Sequence, residues 1–281
     1  MPHILKKILS EQLTTEEISQ MYSAFDMIGS IVILKIPDAL RSKKEIIAKR
    51  ILQYIKPAKS VFVQTSAVKG DYRIRSLEFL GGEYNTITEY REHGCKFRVD
   101  VEKAYFSPRL STERLRIAKL VNENEVIANM FAGVGTFSII IAKMNKTCKI
   151  YSIDSNPFAN EIAVFNSKLN GVQDRVMPIC GNAKDIIHDQ IKGLCDRVLM
   201  PLPERASEYV DSAILALKDG RGTIHFFIHL KAKNKKNAIE EAESKMTSIF
   251  NKYHHKILHT KVVREVGPRV YQIVSDVFII R

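Results

Sequence analysis

No apolar run in this chain is long enough to cross a membrane as a helix. The N-terminus, Met1-Pro-His-Ile-Leu-Lys-Lys7, lacks the long apolar core of a secretory signal. Cysteine is sparse. Cys95, Cys148, Cys180 and Cys195 make no Cys-x-x-Cys pair and show no metal spacing with histidine, so no metal site is expected. They read as reduced thiols of a cytoplasmic protein. There is no internal repeat and no low-complexity tract. What remains is a folded, soluble chain of 281 residues, 45% hydrophobic, long enough for two domains or one large one.

Acidic residues are also in deficit. Asp and Glu number 31 against 43 Lys and Arg, a formal net charge of +12. Without a membrane anchor, such an excess points to nucleic acid. It concentrates between Lys231 and Arg264, where nine Lys or Arg face three Glu, a local net of +6. Lys231, Lys233, Lys235 and Lys236 open that stretch as a solvated loop suited to phosphate contacts.

The hydrophobic pattern divides the chain. Residues 1–30 read as an irregular, partly helical lead-in. Strands follow at 30–36 and 60–64, with a helix at 39–55 between them. Three further strands, 75–80, 86–90 and 96–101, are expected to be joined by Gly81-Gly82 and His93-Gly94 turns. From about Ser111 helix and strand alternate, with short apolar strands at 126–130, 149–153, 175–180, 197–200 and 223–228. Regular βαβ alternation implies a parallel sheet with helices on both faces. A helix at 237–253 and an antiparallel edge hairpin turning at Gly267-Pro268 complete the chain. The expected division is a small α/β domain over 1–104 and a Rossmann-like α/β domain over 105–281.

One stretch organises the second domain: Val126-Ile-Ala-Asn-Met-Phe-Ala-Gly-Val-Gly-Thr-Phe-Ser-Ile-Ile140. Strand, glycine turn and helix make a nucleotide-binding turn, in which glycine admits close backbone approach and the helix N-terminus offers free N–H groups. A third glycine, which a dinucleotide fold would place at position 138, is missing; Ser138 stands there. Ligands of open α/β sheets bind beyond the carboxyl ends of the strands. Four such ends are legible. Phe131, Ala132, Gly133 and Gly135 form the first. Asp154, about twenty residues on, suits ribose hydroxyls, although it would also serve as a helix cap before Pro157. Asn182 can meet an adenine edge. At the fourth end, Pro201 and Pro203 fix the backbone and free a carbonyl.

This set resembles a class I S-adenosylmethionine-dependent methyltransferase. Phe106-Ser-Pro-Arg-Leu-Ser-Thr-Glu-Arg114, Asn129-Met-Phe-Ala-Gly-Val-Gly135 and Met200-Pro-Leu-Pro-Glu-Arg-Ala206 narrow it. With Gly70-Asp-Tyr-Arg-Ile-Arg75 and Gly267-Pro268, they resemble the archaeal and eukaryotic tRNA (guanine-N1-)-methyltransferases that act at position 37, beside the anticodon. The resemblance implies S-adenosyl-L-methionine as cofactor and the tRNA anticodon stem-loop as partner, in a monomeric protein. It implies Glu113 as general base for the guanine N1 proton and Arg73 as the cation on O6, with Arg75 second choice for O6 or a phosphate contact. Phe106 and Arg109 would lie near the cofactor and the flipped base. Read without the resemblance, Glu113 is better taken as a first-turn glutamate matching the helix dipole. Such proteins often carry an extra N-terminal RNA-docking domain, for which this chain begins too late.

One departure bears on substrate. The simplest members carry Asn-Leu-Pro after the fourth strand, and their Asn helps hold the guanine. Here Pro201 has no side-chain donor. The proline version resembles an archaeal subgroup that also methylates a tricyclic wyosine precursor at its ring carbon. Competing readings are the aminocarboxypropyltransferase of wybutosine synthesis and a non-catalytic tRNA-binding module. His225 and His229 read as structural rather than metal ligands.

Overall fold

The computed structural model describes residues 4–22, 24–66 and 72–280. Contacts divide the chain into two compact units, Met1–Pro108 and Arg109–Arg281.

In unit 1 the lead-in is more ordered than its sequence suggests. It forms α1 (Ile4–Leu9), α2 (Thr15–Gln20) and a short strand β1 (Phe25–Ile28). Thr14 starts α2 with a capping box: its hydroxyl accepts from the Glu17 amide, and the Glu17 carboxylate accepts from the Thr14 amide. Next come β2 (Ile31–Leu34), a 3-10 turn, α3 (Lys44–Tyr54), β3 (Ser60–Gln64) and β4 (Leu77–Gly82). These strands make one four-stranded sheet in the order β1-β2-β3-β4, with β2 parallel to β3 and the other pairs antiparallel. Ile47 and Ile51, one turn apart on α3, bury against Val32, Leu34 and Val61, with Leu5 and Leu9 of α1 closing the core.

The strands β5 (Ile87–Glu92) and β6 (Cys95–Asp100) form a separate hairpin. His93 and Gly94, at φ 47° and 75°, supply the two-residue turn expected of them. Gly81-Gly82 is not a hairpin turn. Both residues pair with β3, and a Cβ on Gly82 would lie 2.0 Å from the Lys59 carbonyl oxygen. The glycine there permits a close backbone approach.

Unit 2 begins with α4 (Ser111–Leu120) and continues as β7 (Val126–Asn129), α5 (Thr136–Met144), β8 (Lys149–Asp154), α6 (Pro157–Leu169), β9 (Val176–Cys180), the single turn α7 (Ala183–Ile186), β10 (Arg197–Met200), α8 (Val210–Ala216), β11 (Gly222–Lys231), α9 (Lys235–Ile249), β12 (His255–Gly267) and β13 (Val270–Ile279). The seven strands run in the order β12-β13-β11-β10-β7-β8-β9. The five from β11 to β9 are parallel, and β13 is antiparallel to both β11 and β12. This is the Rossmann-like methyltransferase sheet with its antiparallel edge hairpin. The order reverses at β7/β10, the switch point where such sheets bind ligands. Ala128, Val198, Met200, Ile224 and Phe226 carry the core on one face. The helix α9 starts at Lys235, so Lys231 to Lys236 is not one loop: Lys231 ends β11, while Lys235 and Lys236 occupy the first helical turn.

Candidate active site

The glycine turn is built as its sequence requires. Gly133 and Gly135 have φ of 54° and 85°, in the left-handed region that residues with a Cβ disfavour. A Cβ on Gly135 would meet Ile139 Cδ1 at 3.1 Å and Ala163 Cβ at 3.4 Å. The Ala132 amide donates to the Ile153 carbonyl, and the Gly133 amide donates to Asp154 Oδ2 at 2.6 Å. Asp154 Oδ1 accepts from the Asn156 amide at 2.9 Å. Burial pushes the Asp154 carboxyl above its ordinary range, against the pull of those two amides. The helix cap is Asn156, which accepts from the Phe158 and Ala159 amides; Asp154 faces the turn.

Ser138, where a dinucleotide fold needs glycine, is fully buried and hydrogen-bonded to Asn129 and Ser152, tying α5 to β7 and β8. At the neighbouring strand ends, Phe131 stands edge-on to Tyr209 with centroids 5.0 Å apart. Asn182 is exposed and caps α7 by accepting from the Lys184 amide. The Leu202 carbonyl accepts from the Arg205 and Ala206 amides, so the carbonyl freed by Pro201 and Pro203 is not that of Leu202. The turn, Asp154 and the proline loop thus lie at the C-terminal ends of adjacent strands. Backbone amides, a carboxylate and an aromatic ring there suit a nucleoside carrying an amino-acid end.

Glu113 lies in the first turn of α4 and is 1% exposed. Arg116, one turn on, grips its carboxylate with Nε and Nη2 at 2.7–3.0 Å. Lys261 of β12 stands 3.5 Å from Oε2. Arg116 turns its other edge to Asp276 of β13, with Nη1 to Oδ2 at 2.6 Å and Nη2 to Oδ1 at 3.0 Å. Burial opposes the Arg116 charge, but the bonds to Asp276 and Glu113 outweigh it and hold the guanidinium above its ordinary range. The Glu113 carboxylate is thus buried between two cations, with its orientation fixed by Arg116. Sequence reasoning missed Arg116, Asp276 and Lys261. The Glu113/Arg116 spacing of three was readable as a helix pair; Asp276 was hidden inside an apolar strand.

Within unit 1, Arg73 adopts φ 53° and stacks its guanidinium 4.2 Å from the Tyr105 ring centroid. Gly70 and Asp71 of its motif lie outside the described residues. Arg75 is not a surface cation. It is 8% exposed, pairs with Asp26 at 3.5 Å and donates to the Phe106 carbonyl at 2.8 Å, which makes it a structural tie rather than a phosphate contact. Phe106 is buried against Tyr90, ring centroids 4.9 Å apart, and Arg109 is exposed at the start of unit 2. In unit 2, Lys231, Lys233 and Arg269 line a cleft of about 520 Å³ beside the N-terminus of α9. Lys235 and Lys236 are exposed in the helix's first turn. Among the described residues no cluster of His, Cys, Asp and Glu could hold a metal.

Comparison with known proteins agrees with this fold. The TRM5/TYW2 methyltransferase domain matches residues 88–258, and the TYW2 N-terminal domain matches residues 5–86. The chain belongs to the TRM5/TYW2 methyltransferase family. It is 38% identical over 266 residues to the tRNA (guanine(37)-N(1))-methyltransferase Trm5b of Pyrococcus abyssi, covering 90% of this chain and 74% of that protein. It is 33% identical over 272 residues to the tRNA 4-demethylwyosine(37)-methyltransferase Taw21 of Saccharolobus solfataricus, covering 96% and 98%. The tRNA(Phe) (4-demethylwyosine(37)-C(7)) aminocarboxypropyltransferase of Methanocaldococcus jannaschii is 32% identical over 246 residues, covering 86% and 95%. Among solved structures, an aTrm5 in complex with tRNALeu superposes with a TM-score of 0.85 at 34% identity, over 100% of this chain and 79% of that one. The M. jannaschii TYW2 in complex with AdoMet gives 0.69 at 27% identity, over 92% and 100%.

Proposed function

We propose that this family member is a tRNA (guanine(37)-N1)-methyltransferase that uses S-adenosyl-L-methionine. When bound, the cofactor supplies an electrophilic methyl group on sulfur. The observation that carries the reading is Glu113: a buried carboxylate, fixed by Arg116, on the helix that precedes β7, the strand leading into the glycine turn. Guanine N1 carries a proton that must leave as N1 forms its new bond to the methyl carbon, whose bond to sulfur breaks and leaves its electron pair on sulfur. Glu113 receives that proton, and Arg73 stabilises the charge that develops on O6. Arg73 is suited to this by its stacking on Tyr105, which fixes the fork. Gly133 and Gly135 with Asp154 hold the cofactor's ribose and methionine parts. Phe131, Ala132, Asn182, Pro201 and Pro203 border it, with Phe106 and Arg109 also assigned to the cofactor and the flipped base. Lys231, Lys233, Lys235 and Lys236 contact backbone phosphates of the anticodon stem-loop. We assign residues 1–104 to RNA binding and the O6 cation and residues 105–281 to the cofactor, in a cytoplasmic monomer.

A second reading, favoured by Pro201, adds methylation of a tricyclic wyosine precursor at position 37. A proline in place of a side-chain donor removes the hydrogen bond that would select guanine alone. Aminocarboxypropyl transfer is less favoured, since Glu113 and the Pro-Leu-Pro loop suit methyl transfer. Incubation with S-adenosyl-L-methionine and two tRNAs, one bearing guanosine and one the precursor at position 37, tests both. Mass spectrometry of the nucleosides should show N1-methylguanosine on the first and one added methyl on the second. An aminocarboxypropyl adduct would overturn the methyltransferase reading, and an unmodified precursor would remove the second activity.

A further inference from the structure

Beyond Arg116, the Asp276 carboxylate is held by a further buried partner. His225 of β11 lies directly opposite Asp276 in the antiparallel register, and its Nδ1 is 2.6 Å from Asp276 Oδ1. His225 Nε2 faces Arg197 Nη1 of β10 at 2.8 Å. A guanidinium only donates, so His225 Nε2 must accept and the ring proton must sit on Nδ1, donating to Asp276. Burial holds the imidazole below its usual range, in keeping with a neutral ring, and the bonds from His225 and Arg116 hold the Asp276 carboxyl below its own despite burial.

Arg197 in turn donates to both oxygens of Glu125, at 2.6 and 2.9 Å, and to the Leu120 carbonyl at 2.8 Å. Leu120 is the last residue of α4. The string Glu113–Arg116–Asp276–His225–Arg197 therefore crosses β13, β11 and β10 and fastens α4 near both ends. Each link in the string is a short hydrogen bond between buried or half-buried groups, so turning one member breaks bonds to its neighbours.

Buried ion pairs are weak devices for stability, because desolvation offsets most of the attraction and apolar side chains of similar volume serve as well. Here the string ends on the carboxylate assigned as base. Without Asp276, Arg116 would have one carboxylate instead of two and could turn its end-on Nη1/Nη2 edge to Glu113, changing the direction in which the free lone pair points.

We propose that Asp276 and His225 are positioning residues for methyl transfer, acting through Arg116 to set the orientation of the Glu113 carboxylate. The proposal rests on the reading of Glu113 as the base. The groups facing that carboxylate in unit 2 are Arg116 and Lys261, and those facing Asp276 are Arg116 and His225.

Single-turnover methyl transfer to guanosine-37 tRNA, with separate Kd measurements for S-adenosyl-L-methionine and tRNA, tests it. The variants are Glu113→Gln, Asp276→Asn, His225→Leu, His225→Asn and the double variant Glu113→Gln/Asp276→Asn. Asp276→Asn and His225→Leu should each slow the chemical step on the order of 10-fold, less than loss of the base itself, with both Kd values within about two-fold of wild type. His225→Asn keeps an N–H near the Nδ1 position and should recover most of the rate. In the Glu113→Gln background Asp276→Asn should have no further effect, because both changes act on one group. A wild-type rate in Asp276→Asn, losses that multiply in the double variant, or equal rates in His225→Leu and His225→Asn would overturn the proposal. Should Asp276→Asn fail to fold by circular dichroism, the two His225 variants carry the test. A wild-type rate in Glu113→Gln would instead overturn the assignment of the base and leave the positioning role without an object.

Discussion

On the proposed mechanism, Glu113 is the residue on which the chemistry turns. Replacing it by Gln keeps size and hydrogen-bonding shape but removes the proton acceptor. The single-turnover rate should fall by roughly 10²–10⁴ while cofactor Kd stays within a few-fold, measured with radiolabelled cofactor and by calorimetry. Arg73→Ala should cost roughly 10²–10³ in the same assay, the effect of removing one donor aimed at a developing oxyanion. At this scale the sequence was legible in part. Glu113 and Arg73 came from motif resemblance, since a glutamate in a first helical turn and an arginine in a basic stretch have ordinary explanations. Arg75 was misread for the same reason: an arginine two residues from Arg73 looks like a second surface cation, and only the fold shows it tied to Asp26 and the Phe106 carbonyl. Asp276 and His225 were beyond reach, because their pairing is set by the β11/β13 register across 51 residues.

Among the elements, the glycine turn was the most legible, for both glycines are required by φ and Gly135 also by crowding. Gly135→Ala puts a methyl in the left-handed region and against Ile139 and Ala163. It should destabilise unit 2 by about 1–2 kcal/mol and weaken cofactor binding, checked by thermal melting with and without cofactor. The β10–β11–β13 face carries a pH signature. Both His225 and Asp276 have depressed values in the fold. Below the unfolded histidine value of about 6.5 the unfolded chain binds a proton that folded His225 does not, so stability falls as pH drops. Below the unfolded aspartate value of about 3.9 Asp276 adds a second loss of the same sign. Melting temperature against pH should therefore decline from about pH 6.5 downward, and His225→Asn should flatten that first limb; a flat wild-type profile would contradict the network. The strand β1 escaped notice because Phe25–Ile28 is four residues long and interrupted by Asp26. The β5–β6 hairpin was legible from its His93-Gly94 turn, but its separation from β4 escaped because Gly81-Gly82 mimics a turn signal.

Taken as a whole, the molecule pairs a methyltransferase sheet with a strongly basic surface. The alternation of strands and helices made that sheet legible, since periodicity reports burial directly. The β12–β13 hairpin was legible from its Gly267-Pro268 turn; the antiparallel pairing of β13 with β11 was less so, being fixed by residues far apart in the chain. Net charge of +12 indicated nucleic acid without saying which face binds it. Lys231 and Lys233, beside Arg269, give that a location to test. Changing both lysines to alanine should reduce the slope of log Kd against log salt by roughly 1.5, and an unchanged slope would take them out of the interface. The central claim is methylation of guanine N1 at position 37. It is tested most directly by initial rates of methyl transfer to two transcripts that differ only at nucleotide 37. Robust transfer to the guanosine transcript, with none to the adenosine transcript, is the predicted result. Equal transfer to both, or to neither, would contradict the account.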